Sequence, residues 1–195
     1  MRASMNTTET KTRQRRNRLF GVLFGVLGIA LAWTLITPAL AQTAGGAPAF
    51  QDLADPGGPG VSNWIKTEQT ALRLVAATET AGAAETLTLG LHFKMRPGWK
   101  IYWRSPGDAG FPPIPDWSAS RNLESAVLRW PAPERFSVLG LETLGYKKET
   151  VLPITVRRAD PSRPLELAGT LRYLACADIC IPYDADLALT LTPGD

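Results

Sequence analysis

The segment TLTLGLHFKM, residues Thr86–Met95, alternates apolar and polar side chains along its whole length. One phase holds three leucines, a phenylalanine and a methionine, and the other holds two threonines, Gly90, His92 and Lys94. Strict alternation sends successive side chains to opposite faces of a sheet, because the repeat of a β-strand is two residues. The segment is therefore predicted to be a strand with one buried face and one face in water.

Six further segments show strand-like patterns, and proline- or glycine-containing turns separate them: Ala71–Thr78, Trp99–Ser105, Ser125–Trp130, Thr150–Arg157, Leu165–Leu174 and Asp186–Pro193. Beyond Gly60, no segment keeps a helical period for more than about ten residues. Short strands spaced in this way predict an all-β fold, an antiparallel β-sandwich. Pro153 lies inside one strand and predicts an edge or a bulge there, because proline cannot donate a hydrogen bond to a neighbouring strand.

The N-terminal 41 residues have the order of a secretory signal peptide. Basic residues precede an 18-residue apolar run, Leu19–Ile36, and the small-residue signature Ala39-Leu40-Ala41 follows. This order predicts cleavage after Ala41, although an apolar run of this length could also remain as a membrane anchor. The predicted organisation is a signal peptide (1–41), a flexible lead-in rich in Ala, Gly and Pro (42–65) and one β-sandwich domain (66–195).

The net positive charge of the chain comes from the predicted signal peptide. That segment carries six of the 21 Lys and Arg residues and one of the 18 Asp and Glu residues, so residues 42–195 hold 15 basic and 17 acidic residues, a net charge of −2. Phosphate backbones are bound by basic surfaces. A nucleic-acid partner is therefore not predicted.

Both cysteines lie in ACADICIP, Ala175–Pro182, with three residues between Cys176 and Cys180. Secretion places them in an oxidising compartment, where they can form a disulfide. A bridge that closes so small a loop stabilises a fold by only about 2 kcal/mol. A structural disulfide, a pair that exchanges electrons and a Cu(I) site all remain open on this evidence.

No metal or other cofactor is predicted. Zinc sites need three or four protein ligands, and a nucleophilic cysteine needs a histidine base. The single histidine, His92, is on the polar phase of its strand and is predicted to be a surface residue. The segment ETLGYKKE, Glu142–Glu149, is predicted to be a polar loop that could lie over a site.

Four segments of the sequence resemble the N-terminal periplasmic domain of the DsbD/ScsB thiol–disulfide interchange proteins: Gly98–Trp117, Trp130–Phe136, Leu144–Val156 and Cys176–Pro182. The resemblance covers nearly all of the chain after the lead-in. It implies an immunoglobulin-like β-sandwich in the periplasm and a redox-active pair, Cys176 and Cys180. The three-residue spacing of the cysteines is that of the ScsB-like branch, and this branch also suggests copper handling.

The same resemblance implies partners and a cap. A thioredoxin-like donor domain would form a mixed disulfide with Cys180, in association with a membrane electron-transfer protein. The pair would then reduce periplasmic disulfide proteins, such as isomerases or proteins of cytochrome c maturation, which makes the domain a component of a protein-disulfide reductase. An aromatic loop caps the pair in this family, and Leu144, Gly145 and Tyr146 occupy the matching place. The alternative function is a non-catalytic protein-binding module with a structural disulfide.

Overall fold

A computed structural model of the chain describes residues 50, 53, 56–138 and 140–194. The predicted signal peptide, residues 1–41, lies outside the described residues. Residues Ala44–Asp195 form one compact unit. The described part of the chain contains no helix of the length and hydrophobicity needed to cross a membrane.

Eleven strands are found in the described residues: β1 (Ile65–Lys66), β2 (Thr70–Ala76), β3 (Thr86–Met95), β4 (Lys100–Gly107), β5 (Ile114–Asp116), β6 (Leu123–Leu128), β7 (Glu134–Val138), β8 (Leu141–Lys147), β9 (Glu149–Arg158), β10 (Leu165–Cys176) and β11 (Cys180–Leu191). Sheet A has the order β1-β2-β3-β9-β6, and sheet B has the order β11-β10-β4-β8-β7, with β5 paired to β10. All of these pairs are antiparallel. The antiparallel β-sandwich is confirmed.

Each of the seven predicted strand segments overlaps a strand, and β3 has the predicted bounds. The expected polar loop at Glu142–Glu149 is wrong, because these residues form most of β8, a turn at Lys148 and the start of β9. Thr143, Gly145 and Tyr146 in β8 are all buried, so apolar alternation is a poor guide to this strand. The sequence pattern also did not predict the short strands β1, β5 and β7.

The core lies between the inner faces of the two sheets. The alternating leucines of β3 are buried there, as predicted, and Phe93 makes an edge-to-face contact with Tyr173 of sheet B at 5.3 Å between ring centroids. The hydroxyl groups of Thr70 and Tyr173 form a buried hydrogen bond of 2.6 Å. This bond joins β2 of sheet A to β10 of sheet B and satisfies two polar groups that are costly to bury alone.

Pro153 does not lie on an edge strand, because β9 has β3 on one side and β6 on the other. Strand β6 ends at Leu128, whose partner is Ile154. The carbonyl oxygen of Pro153 accepts a bond from the N–H of Arg129, just beyond that end. In an antiparallel strand the N and C=O of one residue point the same way, so the missing N–H of the proline falls where the ladder with β6 has already stopped.

His92 is not the surface residue that was predicted. Its side chain is 13% exposed, its Nε2 lies 2.6 Å from Glu149 Oε1, and its ring centroid lies 4.9 Å from that of Trp64. Trp64 belongs to the segment before β1, which reaches the outer face of sheet A. The predicted boundary at residue 65/66 falls inside β1, and the chain is already bonded to β2 from Ser62 and Gly60 onward.

Arg158 is the largest of the fully buried side chains, with 1% of its surface exposed. Its guanidinium group donates to three carbonyl oxygens, those of Gly82, Ala84 and Arg163. These bonds fasten the loop before β3 and the loop before β10 to the end of β9. The buried cation is satisfied by carbonyl groups here, which agrees with the need to hydrogen-bond any buried polar group.

Replacing Arg158 with methionine is expected to lower the free energy of unfolding by about 3 kcal/mol or more, since three carbonyl groups would lose their donor. Urea denaturation of the variant measures this. The matched control is Arg157→Met, because Arg157 is 54% exposed and makes only surface ion pairs. The Arg157→Met variant should lose less than about 1 kcal/mol of unfolding free energy. Equal losses in the two variants would contradict the assignment.

Candidate functional site: the cysteine hairpin

The two cysteines close the tip of the β10–β11 hairpin. Cys176 is the last residue of β10, Cys180 is the first residue of β11, and the two are direct cross-strand partners. Their sulfur atoms are bonded at 2.06 Å, and their Cα atoms lie 4.1 Å apart. Three residues, Ala177, Asp178 and Ile179, form the turn between them. The disulfide therefore links two positions that the strand pairing already holds together.

The two sulfur-bearing residues differ in exposure. Cys176 is completely buried, whereas Cys180 is an exposed residue. Beside Cys180, the turn residue Ile179 is 64% exposed. Thiol–disulfide exchange requires a thiolate to reach a sulfur atom from outside. Of the two cysteines, Cys180 is therefore the residue exposed to an outside thiolate, and Cys176 is the residue shielded from it.

Tyr102 of β4 contacts the exposed cysteine. Its hydroxyl oxygen lies 3.7 Å from Cys180 Sγ, within hydrogen-bond distance for sulfur, and the whole residue is buried. Burial raises the pKa of Tyr102, which keeps its hydroxyl group protonated and able to donate. Gly110 packs against the Tyr102 ring, because an added Cβ at this glycine would lie 2.3 Å from a ring atom. Gly110 thus packs its backbone on Tyr102 and holds the ring beside the disulfide.

Charged residues flank the hairpin. Lys100 of β4 is the Cα partner of Cys176, and Lys147 of β8 is in turn the partner of Lys100. The pKa of Lys100 is lowered, and partial burial of the side chain is the largest cause. The carboxylate of Asp178 in the cysteine turn raises this pKa, whereas the positive charge of Lys147 lowers it. Lys147 is itself paired with Glu134 at 2.9 Å. A cation therefore lies in register with the buried sulfur.

The predicted cap residues Leu144, Gly145 and Tyr146 are consecutive residues of strand β8. The Tyr146 ring belongs to the core between the sheets, its hydroxyl donates to the Pro131 carbonyl at 2.8 Å, and burial raises its pKa to about 12. At Gly145, an added Cβ would lie 2.0 Å from the carbonyl oxygen of Ile101. Tyr146 pairs with Ile101 on the inner face, so its ring is on the face opposite to Tyr102. The cap role of these residues stays a prediction.

Tyr102, Lys100 and Gly110 are the site residues that sequence reasoning missed. The strand pattern around Tyr102 is visible in the sequence, because Trp99–Ser105 is one of the predicted strand segments. Nothing in the sequence shows that β4 meets β10 at Cys176, since about 75 residues separate them. The described residues contain no group of three or more His, Cys, Asp and Glu side chains placed to hold a metal ion.

Replacing Gly110 with alanine is expected to lower stability by about 2 kcal/mol more than Gly98→Ala does, because the new methyl group would overlap the Tyr102 ring. Gly98 is the matched control, since its φ of 85° resembles the 92° of Gly110 and open space surrounds it. Urea denaturation gives the stabilities. Reduction by dithiothreitol should also be faster in the Gly110 variant. Equal stabilities and equal rates would contradict the packing role.

Comparisons with known proteins agree with this geometry. The family described as "Thiol:disulfide interchange protein DsbD, N-terminal" matches residues 68–192. No curated protein matches the chain. The crystal structure of the N-terminal periplasmic domain of ScsB from Proteus mirabilis is similar at 29% sequence identity and a TM-score of 0.57. This similarity covers 70% of the present chain and 52% of the ScsB chain, so the chain spans about half the length of that domain.

The N-terminal domain of DsbD from Neisseria meningitidis, in its reduced form, is a more distant neighbour. It is 14% identical, with a TM-score of 0.35, over 57% of this chain and 82% of that chain. The ScsB similarity agrees with the immunoglobulin-like form of the sandwich. The family match and the bonded cysteine pair fit a thiol–disulfide exchange module. The chain belongs to the family of DsbD N-terminal domains.

Proposed function

We propose that the chain is a periplasmic thiol–disulfide exchange module that passes electrons to disulfide-bonded proteins through Cys176 and Cys180. The observation that carries the proposal is the asymmetry of the pair, one sulfur-bearing residue buried and the other exposed. A purely structural disulfide does not require either of its cysteines to be exposed to solvent. The periplasmic location is supported by the ScsB neighbour, which is a periplasmic domain.

In the reducing direction, a thiolate of a thioredoxin-like donor attacks Cys180 Sγ. The bond between the two cysteines breaks, Cys176 leaves as a thiolate, and a mixed disulfide joins the donor to Cys180. The second thiol of the donor then attacks the first donor cysteine in this mixed disulfide and releases Cys180 as a thiol. The donor ends as a disulfide and the pair as two thiols, so two electrons have moved.

In the forward direction, the reduced pair acts on a substrate disulfide. The Cys180 thiolate attacks, one substrate cysteine leaves, and Cys176 then attacks Cys180 to release the second. Lys100, in register with Cys176, supports the negative charge when Cys176 leaves or attacks. The Tyr102 hydroxyl donates toward Cys180 and offers the same support to the other sulfur.

The partners proposed are a thioredoxin-like donor domain, a membrane electron-transfer protein that supplies it, and periplasmic proteins with disulfides to reduce, including those of cytochrome c maturation. The aromatic cover of the pair is part of the proposal. Tyr102 supplies it in the oxidised protein, and a contribution from the Leu144–Tyr146 segment is tested by comparing reduction rates of Tyr102→Ala and Tyr146→Ala variants.

The proposal predicts a reduction potential above about −300 mV for the Cys176–Cys180 pair, the range of labile rather than structural disulfides. Equilibration with thioredoxin or glutathione buffers, followed by counting of free thiols, gives this value. A potential well below that limit would favour the binding module with a structural disulfide. That module would also bind its partner equally well after both cysteines are replaced by alanine.

The proposal also predicts that only one cysteine forms the mixed disulfide. A thioredoxin that lacks its resolving cysteine is loaded with a thionitrobenzoate group, and each single-cysteine variant is added to it. The Cys176→Ala protein, which keeps the exposed Cys180, should release the chromophore at least about tenfold faster than the Cys180→Ala protein. A Cys180→Ser protein that still accepts electrons from the donor would refute the mechanism.

A further inference from the structure

A groove with a volume of about 510 Å³ lies beside the turns that join β3 to β4 and β8 to β9. Its apolar lining residues are Met95, Pro97 and Phe50, the last of which belongs to the segment before the sandwich. The two turns are bonded to each other, since the N–H of Met95 donates to the carbonyl oxygen of Lys148 at 2.6 Å. The groove is therefore built on a fixed frame.

The rim of the groove is basic. Four cations line it, Lys94, Arg96, Lys147 and Lys148, against the single carboxylate of Glu149. That carboxylate is already bonded to His92 at 2.6 Å and lies 3.8 Å from Lys94.

Two of the cations have no carboxylate partner among the described residues. Arg96 bonds only to the carbonyl oxygen of Glu68, at 3.5 Å, and Lys148 is an exposed residue at the tip of its turn. The groove thus has an excess of positive charge that faces outward.

The groove and the disulfide are at the same end of sheet B. Lys147 on the groove rim is the strand partner of Lys100, and Lys100 is the partner of Cys176. Two strand spacings separate Lys147 from Cys176, a distance of about 10 Å. Cys180 lies one strand further on, 4.1 Å from Cys176 between Cα atoms. An extension of three to four residues, which spans about 10–14 Å, therefore carries a ligand from the groove to the disulfide.

The chain itself shows what kind of side chain the groove accepts. Phe50 is the aromatic residue that lines the groove. A large apolar side chain beside carboxylates is the chemistry that apolar lining residues with basic neighbours select.

We propose that this groove is the docking surface for an acidic, extended segment of the redox partner, one that carries a large apolar side chain beside its carboxylates. The segment replaces Phe50 in the groove and brings the thiol of the partner to Cys180. The inference rests on the proposed exchange function and adds to it the kind of partner segment that is recognised.

The binding test uses the full chain and two labelled peptides, dansyl-SGGFDE-amide and its neutral twin dansyl-SGGFNQ-amide, followed by fluorescence anisotropy. At low salt the acidic peptide should bind about tenfold more tightly, as two ion pairs of up to about 1 kcal/mol each allow. NaCl at about 1 M should remove most of this preference, because the screening length falls to about 3 Å. A Phe50→Ser variant should bind the acidic peptide more tightly than the parent.

The Arg96→Gln/Lys148→Gln variant should lose the preference for the acidic peptide. Arg121→Gln is the matched control, because Arg121 is 80% exposed and does not line the groove. Equal binding of the two peptides by the parent chain and by the Phe50→Ser variant would overturn the docking surface. A preference that survives in the double variant would overturn it as well.

The exchange test replaces the serine of each peptide with cysteine. The peptide thiolate attacks Cys180 Sγ, Cys176 leaves as a thiolate that takes a proton from water, and mass spectrometry follows the mixed disulfide. The acidic peptide should react several-fold faster than the neutral one with the parent chain. This difference in rate should disappear in the Arg96→Gln/Lys148→Gln variant. Binding without this gain in rate would contradict the coupling to the disulfide. If neither peptide reduces the disulfide while the acidic one still binds, the docking surface stands and the exchange function falls.

Discussion

The pairing of Cys176 with two different strands is the constraint on which the site depends. On one side Cys176 faces Cys180 across the hairpin, and on the other it faces Lys100, the only residue of β4 that pairs with β10. This single register brings the disulfide, a cation and the Tyr102 hydroxyl group together. A slip of one residue would send every side chain of the hairpin to the opposite face, and the cysteines would then lie in the core.

The contacts that stabilise the sandwich lie away from the disulfide. Arg158, with its three carbonyl acceptors, fastens the loops that precede β3 and β10, whereas the disulfide lies at the far end of β10. Thr70, Tyr173 and Phe93 tie the two sheets together through buried side chains. Because the strand pairing already holds Cys176 against Cys180, opening of the disulfide breaks no long-range connection. A pair placed in this way can be reduced and oxidised while the fold persists.

The surroundings of the pair favour reaction with a docked partner over reaction with free thiols. Cys176 is buried, Tyr102 covers one side of Cys180, and Asp178 places a negative charge in the turn between the cysteines. An approaching thiolate is repelled by that charge unless other contacts favour its approach. In the mechanism proposed above, the basic groove along Arg96 and Lys148 would supply such contacts to a partner with carboxylates, and the hairpin would carry out the exchange.

The sequence by itself determined the strands with clear alternation and the cysteine pair, and four motifs were enough to indicate the family. Alternation is local and follows directly from the two-residue repeat of a strand. It did not reveal β8, where Gly145 and Thr143 are buried although neither is a large apolar residue, nor the partial burial of His92 against Trp64. Only the tertiary structure decided which cysteine is exposed, that Tyr102 contacts Cys180, and that Lys100 pairs with Cys176. These facts arise from pairings between residues far apart in the chain, and local periodicity carries no information about such pairings.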